Sequence, residues 1–279
     1  HEPRHSFGQV KLHHLDADGA EAVVETAELL HDITGLARRS DQQGQPFGAL
    51  AGTFTSPAAT FAGLVRRPTW WLPFLLWLAG IAVVVVVTTP KIDMERTFRE
   101  MFEKRAARTG QSISDEQIRE MVARSDRSPA RAAAIAVPSS AVVFLIVALV
   151  LWGGARASGS EATFGQTMAV WAHANLANVV GVVLAVPILA GLAEASETQF
   201  SVQHVVRSNV GAFLPADAPV FLSSIASSLD LFSLAALVLL VIGMKKLPAM
   251  PAGAAVGVPV VLWALYVLAK AGLAAAFLG

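Results

Sequence analysis

Five side chains that can ionise or form strong hydrogen bonds lie inside long apolar stretches of this sequence: His173, Asn175, Asn178, Asp230 and Lys270. An ionised side chain at the centre of a bilayer costs about 2.5–3.5 kcal/mol, so these residues should face protein or water. They could form a proton or ion pathway, or they could hold helices together through hydrogen bonds. We favour the second role, because a pathway usually needs more than one acid.

The stretches that must position these side chains are each long enough to cross a bilayer, which takes about 20 residues of helix. The chain has 279 residues and is 54% hydrophobic and 15% charged, whereas soluble domains average about 25% charged residues. The sequence therefore predicts an all-α, polytopic integral membrane protein, folded as a five-span helical bundle. The predicted spans are residues 70–89, 132–152, 167–193, 218–244 and 255–278.

The last two predicted spans carry Asp230 and Lys270 and are joined by the short link KKLPAMPAG. Met250 lies near the middle of this link, and each charged residue is 20 positions away from it. An antiparallel helical hairpin then places both charges at similar depth. We therefore predict a buried ion pair between Asp230 and Lys270, with the polar residues of the third span as further hydrogen-bond partners. Snorkelling of Lys270 to the C-terminal interface is the alternative.

Aromatic and basic residues mark the predicted membrane boundary. The segment SPAATFAGLVRRPTWWLP (56–73) predicts a short amphipathic helix lying on the bilayer, with Phe61, Leu64 and Val65 on its apolar face. Basic residues of the short loops fall on one side if five spans alternate, which by the positive-inside rule places the N-terminus in the cytoplasm. The predicted interface residues are Arg66, Arg67, Trp70, Trp71, Lys245 and Lys246.

Residues 1–49 are predicted to form a separate polar segment with one short helix, over residues 20–39, ahead of a membrane domain at 50–279. The run HHLDADGAEAVVE in this segment partly matches a calcium-binding loop. His14, however, takes the first position, where an acid is needed, and Glu21 takes the usually apolar eighth position. An acidic helix start therefore explains the run better than a metal site does.

A charged insertion at 91–131 separates the first two spans and predicts an extramembrane helical hairpin. Gly110 can end its first helix, and Ser114 with Gln117 forms a capping box that opens its second. The apolar edge of this hairpin is expected to pack on a partner, on itself or on the membrane. A mixed-sign surface of this kind is more often a solvated face than a binding site.

The sequence carries no catalytic signature of the common hydrolase, zinc-protease, phosphate-loop or dinucleotide-binding types. It contains 21 basic and 21 acidic residues, so no basic field favours nucleic acid, and it contains no cysteine. We therefore predict that the protein is not an enzyme and has no catalytic, cofactor-binding or metal-binding residues.

Two stretches resemble the Yip family (the Ypt/Rab-interacting membrane proteins) in its bacterial branch. They are SPAATFAGLVRRPTWWLPFLLWL, followed by a polar helical insertion, and DLFSLAALVLLVIGMKKLPAM, followed by a last span. The resemblance covers roughly residues 50–279 and implies a five-span bundle with a cytoplasmic N-terminus. Eukaryotic relatives recruit Rab-type GTPases, but this sequence lacks the Gly-Pro-aromatic motif that they carry before their first span. The resemblance therefore implies the fold and not Rab binding.

The function predicted from these features is that of a non-enzymatic scaffold or adaptor in the cell (inner) membrane, which organises the membrane or assembles membrane complexes. Its expected partners are the lipid bilayer and either an unidentified membrane or peripheral protein or a second copy of the chain. Such partners would engage the N-terminal segment or the hairpin at 91–131. The alternative is a small transporter, or an accessory subunit of a transporter, that uses the intramembrane polar residues.

Overall fold

The computed structural model describes residues 45–110, 113–125, 128–191, 207–215 and 218–278. The chain divides into two compact units, residues 1–48 and 49–279, and apart from residues 45–48 the described residues all lie in the second unit. The predicted helix over 20–39 and the calcium-like run lie outside the described residues. In chain order the described helices are α1 (Gln45–Thr55), α2 (Pro57–Arg66), α3 (Trp71–Thr88), α4 (Met94–Thr109), α5 (Asp115–Arg124), α6 (Pro129–Ala157), α7 (Phe164–Ala174), α8 (Leu176–Gly191), α9 (Val220–Ser228), α10 (Leu231–Met244) and α11 (Ala252–Leu278).

Four helical segments of the described chain are long and apolar enough to cross a membrane. They are Trp71–Lys91, Pro129–Ala157, Phe164–Gly191 and Ala252–Ala276. The third comprises α7 and α8, which meet at a turn at Asn175. These four correspond to the first, second, third and fifth predicted spans, so the all-helical membrane character of the chain is confirmed.

The region predicted as the fourth span, 218–244, is not one continuous helix. Helix α9 ends at Ser228 and α10 begins at Leu231, with Asp230 between them in extended conformation. Helix α10 has 14 residues and is therefore about 21 Å long, which is shorter than the roughly 30 Å hydrocarbon core of a bilayer. The expectation of an unbroken span here is wrong, and the count of five spans is not confirmed.

Helix α7 lies at the centre of the bundle, where α2, α3, α6 and α10 contact it. Small residues allow this crowding. A methyl group on Gly243 of α10 would overlap Val170 of α7 and would lie 3.0 Å from Cδ1 of Phe61 in α2. Because three helices meet at this point, the missing side chain of Gly243 sets how closely they approach. The buried residues of α7 are Thr167, Met168, Ala169, Val170, Ala172, His173 and Ala174.

Helix α2 has the predicted apolar face, but that face is covered by protein. Phe61, Leu64 and Val65 are buried and belong to the same core cluster as residues of α7 and α10. The expectation that this face lies against lipid is therefore wrong. The physical reason is that small and aliphatic side chains of α7 and α10 pack against this face and exclude lipid from it.

The charged insertion forms the predicted hairpin of α4 and α5. Gly110 ends α4 with a positive φ of 70°, a conformation that favours glycine, and Ser114 with Gln117 forms a capping box at the start of α5. Arg99 of α4 bonds Asp115 at 2.8 Å and joins the two helices. Ile118 of α5 is buried.

Candidate functional site

The candidate site is the break between α9 and α10. The segment 207–215 lies against this break. Two backbone hydrogen bonds join the segment to the break. The Val210 N–H donates to Leu229 O at 3.2 Å, and the Leu231 N–H donates to Ser208 O at 3.0 Å. These bonds satisfy backbone groups that a helix interruption would otherwise leave unpaired in an apolar environment.

Asp230 is the N-cap of α10. Its Oδ1 accepts hydrogen bonds from the N–H groups of Phe232 at 2.9 Å and Ser233 at 3.2 Å. The residue is only 5% exposed. A carboxylate at this position satisfies two free helix donors and lies at the positive end of the helix dipole. The acid within the apolar run therefore starts a helix.

Lys270 of α11 reaches the same break. Its Nζ donates to Ser228 Oγ at 3.1 Å, and this hydroxyl in turn donates to Ser224 O at 2.9 Å. Two helices are thus tied to each other through the Lys270 ammonium and Ser228, the last residue of α9.

The two charges lie at the same level, but no direct ion pair joins Asp230 and Lys270 in the described part of the chain. The predicted direct pair is therefore wrong. The carboxylate is held by the backbone amides of α10, while the ammonium takes the hydroxyl of Ser228.

The basic residues predicted to share one side lie at one end of the bundle, which we call the basic end. The loop after Arg156 and the loop after α10 are joined there, since Ser160 Oγ donates to Pro248 O at 2.7 Å and Arg156 donates to Ser160 O at 3.1 Å. The predicted interface residues of this end are all exposed: Arg66, Arg67, Trp70, Trp71, Lys245 and Lys246.

The opposite end is marked by Lys91, whose ammonium donates to the carbonyls of Leu189, at 3.4 Å, and Ala190 at the end of α8. Asp230 precedes the 14 residues of α10 and so lies about 21 Å from the basic end. It therefore lies in the far part of the bundle and not midway along a span.

The polar residues of the third span form a second cluster at the turn between α7 and α8. Asn178 donates to the side chain of Asn175 at 2.7 Å, and Nδ1 of His173 bonds the carbonyl of Ala169 at 3.0 Å. Both bonds lie within the same span. Within the described residues, no hydrogen bond connects this cluster to Asp230 or Lys270.

Three buried polar atoms of this second cluster have no hydrogen-bond partner: Trp171 Nε1, His173 Nε2 and Asn175 Nδ2. The Trp171 ring packs on Phe144 at a centroid distance of 5.2 Å, which places it against α6. The buried histidine and asparagine are 1% and 3% exposed. The cluster is thus held in place mainly by packing and less by hydrogen bonds.

Asn209 is a site residue that the sequence analysis missed. It is 4% exposed, pairs with Asp230 in an antiparallel bridge, and accepts a hydrogen bond from Ala212 N–H at 3.0 Å. A methyl group on Gly211 would lie 3.0 Å from the backbone nitrogen of Ser227. The Asn-x-Gly spacing is a turn signal that could have located this segment.

The arrangement at the break fixes the positions of α9, α10 and α11 relative to one another. Across the part of the chain that is described, no group of three His, Asp or Glu side chains could hold a metal ion. At the break, the carboxylate of Asp230 and the hydroxyl of Ser228 bond backbone groups, and the ammonium of Lys270 bonds the Ser228 hydroxyl. The chemistry that this geometry supports is structural.

Four membrane-length helical segments, together with the shorter helices α9 and α10, define a polytopic membrane protein. The chain belongs to the Yip1 family, since the model of the Yip1 domain matches residues 51–273. It is similar to membrane protein YknW of Bacillus subtilis (strain 168), at 26% identity over 198 residues that cover 71% of this chain and 78% of that relative. No solved structure matches the chain. The resemblance seen in the sequence is thereby confirmed.

Proposed function

We propose that the protein is a non-enzymatic membrane scaffold or adaptor of the Yip1 family that organises the membrane or assembles membrane complexes. The observation that carries this proposal is the α4–α5 hairpin. It is a charged helical hairpin in which Ile118 is buried, its helix α4 contacts α11, and its outer face of mixed charge is exposed. Such a face suits a polar protein partner better than lipid.

The helix break supports the same role from inside the bundle. Asp230, Ser228 and Lys270 bond backbone and one another. A rigid frame that holds the hairpin in a fixed place is what a scaffold requires.

The proposal includes five crossings of the membrane. Helices α9 and α10 together make a fifth, discontinuous crossing, because α10 alone is too short and α9 continues the apolar run. Five crossings put the basic end in the cytoplasm, together with the N-terminus, by the positive-inside rule. The membrane is proposed to be the inner membrane of a bacterial cell.

Cross-linking from the hairpin tests the scaffold role. A photoreactive amino acid placed at Glu116, Arg119 or Glu120, which are exposed on α5, is expected to capture one protein partner in native membranes. The matched control is Val183 on α8, which is 63% exposed and apolar and should capture lipid. A hairpin that captures no protein, and whose removal leaves every co-purifying protein in place, contradicts the proposal. The mass of the product separates a second copy of the chain from a different partner.

The second candidate function is a small transporter or an accessory subunit of one. One observation favours it, since a broken membrane helix with a buried carboxylate is the type of element that transporters use to hold ions or substrates. Proton flux into vesicles containing the purified protein tests this function. Flux that is abolished by Asp230→Asn supports transport, and equal leak with both forms removes it.

A further inference from the structure

Helices α1 and α2 fold back on each other at Ser56. A Cβ placed on Gly52 would lie 2.5 Å from Oγ1 and 3.6 Å from Cβ of Thr60. Residues eight apart in one straight helix are about 12 Å apart along its axis. The two helices are therefore closely packed arms of a hairpin, which we call the N-terminal hairpin.

The N-terminal hairpin runs inward from the basic end. Phe61 in α2 touches Gly243, in the last turn of α10, whereas Phe54 in α1 lies beside Phe232 and Ala235, at the beginning of α10. These levels are about 12–17 Å apart along α10. Residues 42–65 contain no charged side chain. The apex near Ser56 therefore lies at the depth of the hydrocarbon core, and the hairpin is re-entrant.

The apex of the hairpin forms one wall of an apolar groove of about 400 Å³. Its lining residues are Phe54, Ala177, Val180, Leu231, Phe232 and Ala235. The groove opens sideways, since Phe54, Val180 and Leu231 are 49%, 41% and 64% exposed.

We propose that this groove holds an acyl chain of a membrane lipid. Every lining side chain is apolar, so the groove offers no hydrogen bond to a headgroup or to a peptide backbone. An α-helix with its side chains is about 10–12 Å wide, so a groove of this volume holds less than about one turn of such a helix. Because the groove lies at the depth of the hydrocarbon core, the occupant that fits it is a flexible hydrocarbon chain, in preference to a partner helix or a second copy.

The chain would bind beside the first turn of α10, directly after the Asp230 cap. It would thereby cover Leu231 and hold the apex of the N-terminal hairpin against α8 and α10. This inference is independent of the scaffold proposal, because it concerns a lipid site inside the bundle and makes no use of the α4–α5 hairpin.

The geometry of the N-terminal hairpin can be tested first by disulfide formation, because the sequence contains no cysteine. The double variant Gly52→Cys/Thr60→Cys is expected to form an intramolecular disulfide in membranes, because a Cβ–Cβ separation of 3.6 Å lies in the usual range of about 3.5–4.5 Å. The control pairs Gly52→Cys with Gly63→Cys, where a Cβ has no neighbour within 4 Å. A bond in the control, or none in the first pair, overturns the inference.

The groove is tested with phosphatidylglycerol that carries a diazirine at the end of one acyl chain, in vesicles of phosphatidylethanolamine and phosphatidylglycerol. Labelling of the peptides that line the groove is expected, with little labelling from a probe beside the headgroup. Ala235→Trp, which fills the groove, should reduce this labelling to the level of the lipid-exposed surface. Val238→Trp, on the same helix and 58% exposed, should leave it unchanged.

Val180→Trp fills the groove from the α8 side and gives a second variant if Ala235→Trp does not fold. Labelling that is equal in the wild type and in both filling variants, or that spreads evenly over the exposed surface, shows unselective lipid contact and overturns the proposal. Capture of a second protein chain by a photoreactive residue at Phe54 overturns it as well.

Discussion

The two polar clusters of the bundle are buried to a similar degree but are bonded differently. At the helix break, Asp230 and Lys270 satisfy backbone donors and a serine hydroxyl. At the turn between α7 and α8, one donor of Asn175 and ring nitrogens of Trp171 and His173 have no partner. The presence of polar residues in an apolar run therefore does not show which cluster stabilises the fold. The hydrogen bonds that these residues form show it.

The physical consequence is an asymmetry in what each cluster contributes. Removing a buried group that satisfies others leaves those others unpaired, which costs about 1–3 kcal/mol for each. Removing a group that is already unpaired relieves a penalty. The break should therefore be sensitive to substitution, and the unpaired atoms at the turn should tolerate replacement by apolar groups of the same shape.

The largest expected effect is that of Asp230→Ala, which should lower the free energy of unfolding by about 2 kcal/mol, because the cap is lost and two amides become unpaired. Asp230→Asn keeps an oxygen for these amides and should cost much less. Unfolding titrations in mixed detergent micelles measure both. Equal losses for the two variants would mean that the charge of Asp230, and not its cap, stabilises the break.

A smaller effect is expected for Lys270→Met, about 0.5–1 kcal/mol, because Ser228 keeps its bond to Ser224 and a half-buried cation is removed. The double variant with Asp230→Ala should be about as unstable as the sum of the single variants. A directly paired Asp230 and Lys270 would instead make the double replacement nearly neutral. The same titrations, arranged as a double-mutant cycle, separate these outcomes.

The smallest effect is expected for Trp171→Phe, which removes the unpaired Nε1–H and keeps an aromatic ring against Phe144. The free energy of unfolding should change by no more than about 0.5 kcal/mol, since loss of indole contacts and relief of the unpaired donor oppose each other. A loss comparable to that of Asp230→Ala would show that this donor has a partner in the membrane and would remove the contrast between the clusters.

Local signals in the sequence predicted local structure well. The glycine at 110 ends α4, and the Ser114–Gln117 pair caps α5, because caps depend on neighbouring residues alone. The membrane-length helices follow from their composition. The clustering of basic residues at one end also follows from counting positions along the spans.

Features that depend on contacts between distant residues were not predictable in this way. An acid before an apolar helix is a normal N-cap, so Asp230 was compatible with both a cap and a buried ion pair. The choice depends on Asn209 and its neighbours, which close the break from another segment. The burial of α2 likewise depends on Gly243, 182 positions away from Phe61.

The central claim is that the helix break is a closed structural joint, and thiol accessibility tests it most directly. Ser228→Cys in the cysteine-free chain places a thiol beside Lys270 at a residue that is 4% exposed. We expect no reaction with a charged, membrane-impermeant thiol reagent from either side of native membranes, while Lys245→Cys, at an exposed residue of the basic end, reacts from one side. Rapid modification of Ser228→Cys in a folded protein would show that water reaches Asp230 and would contradict the account.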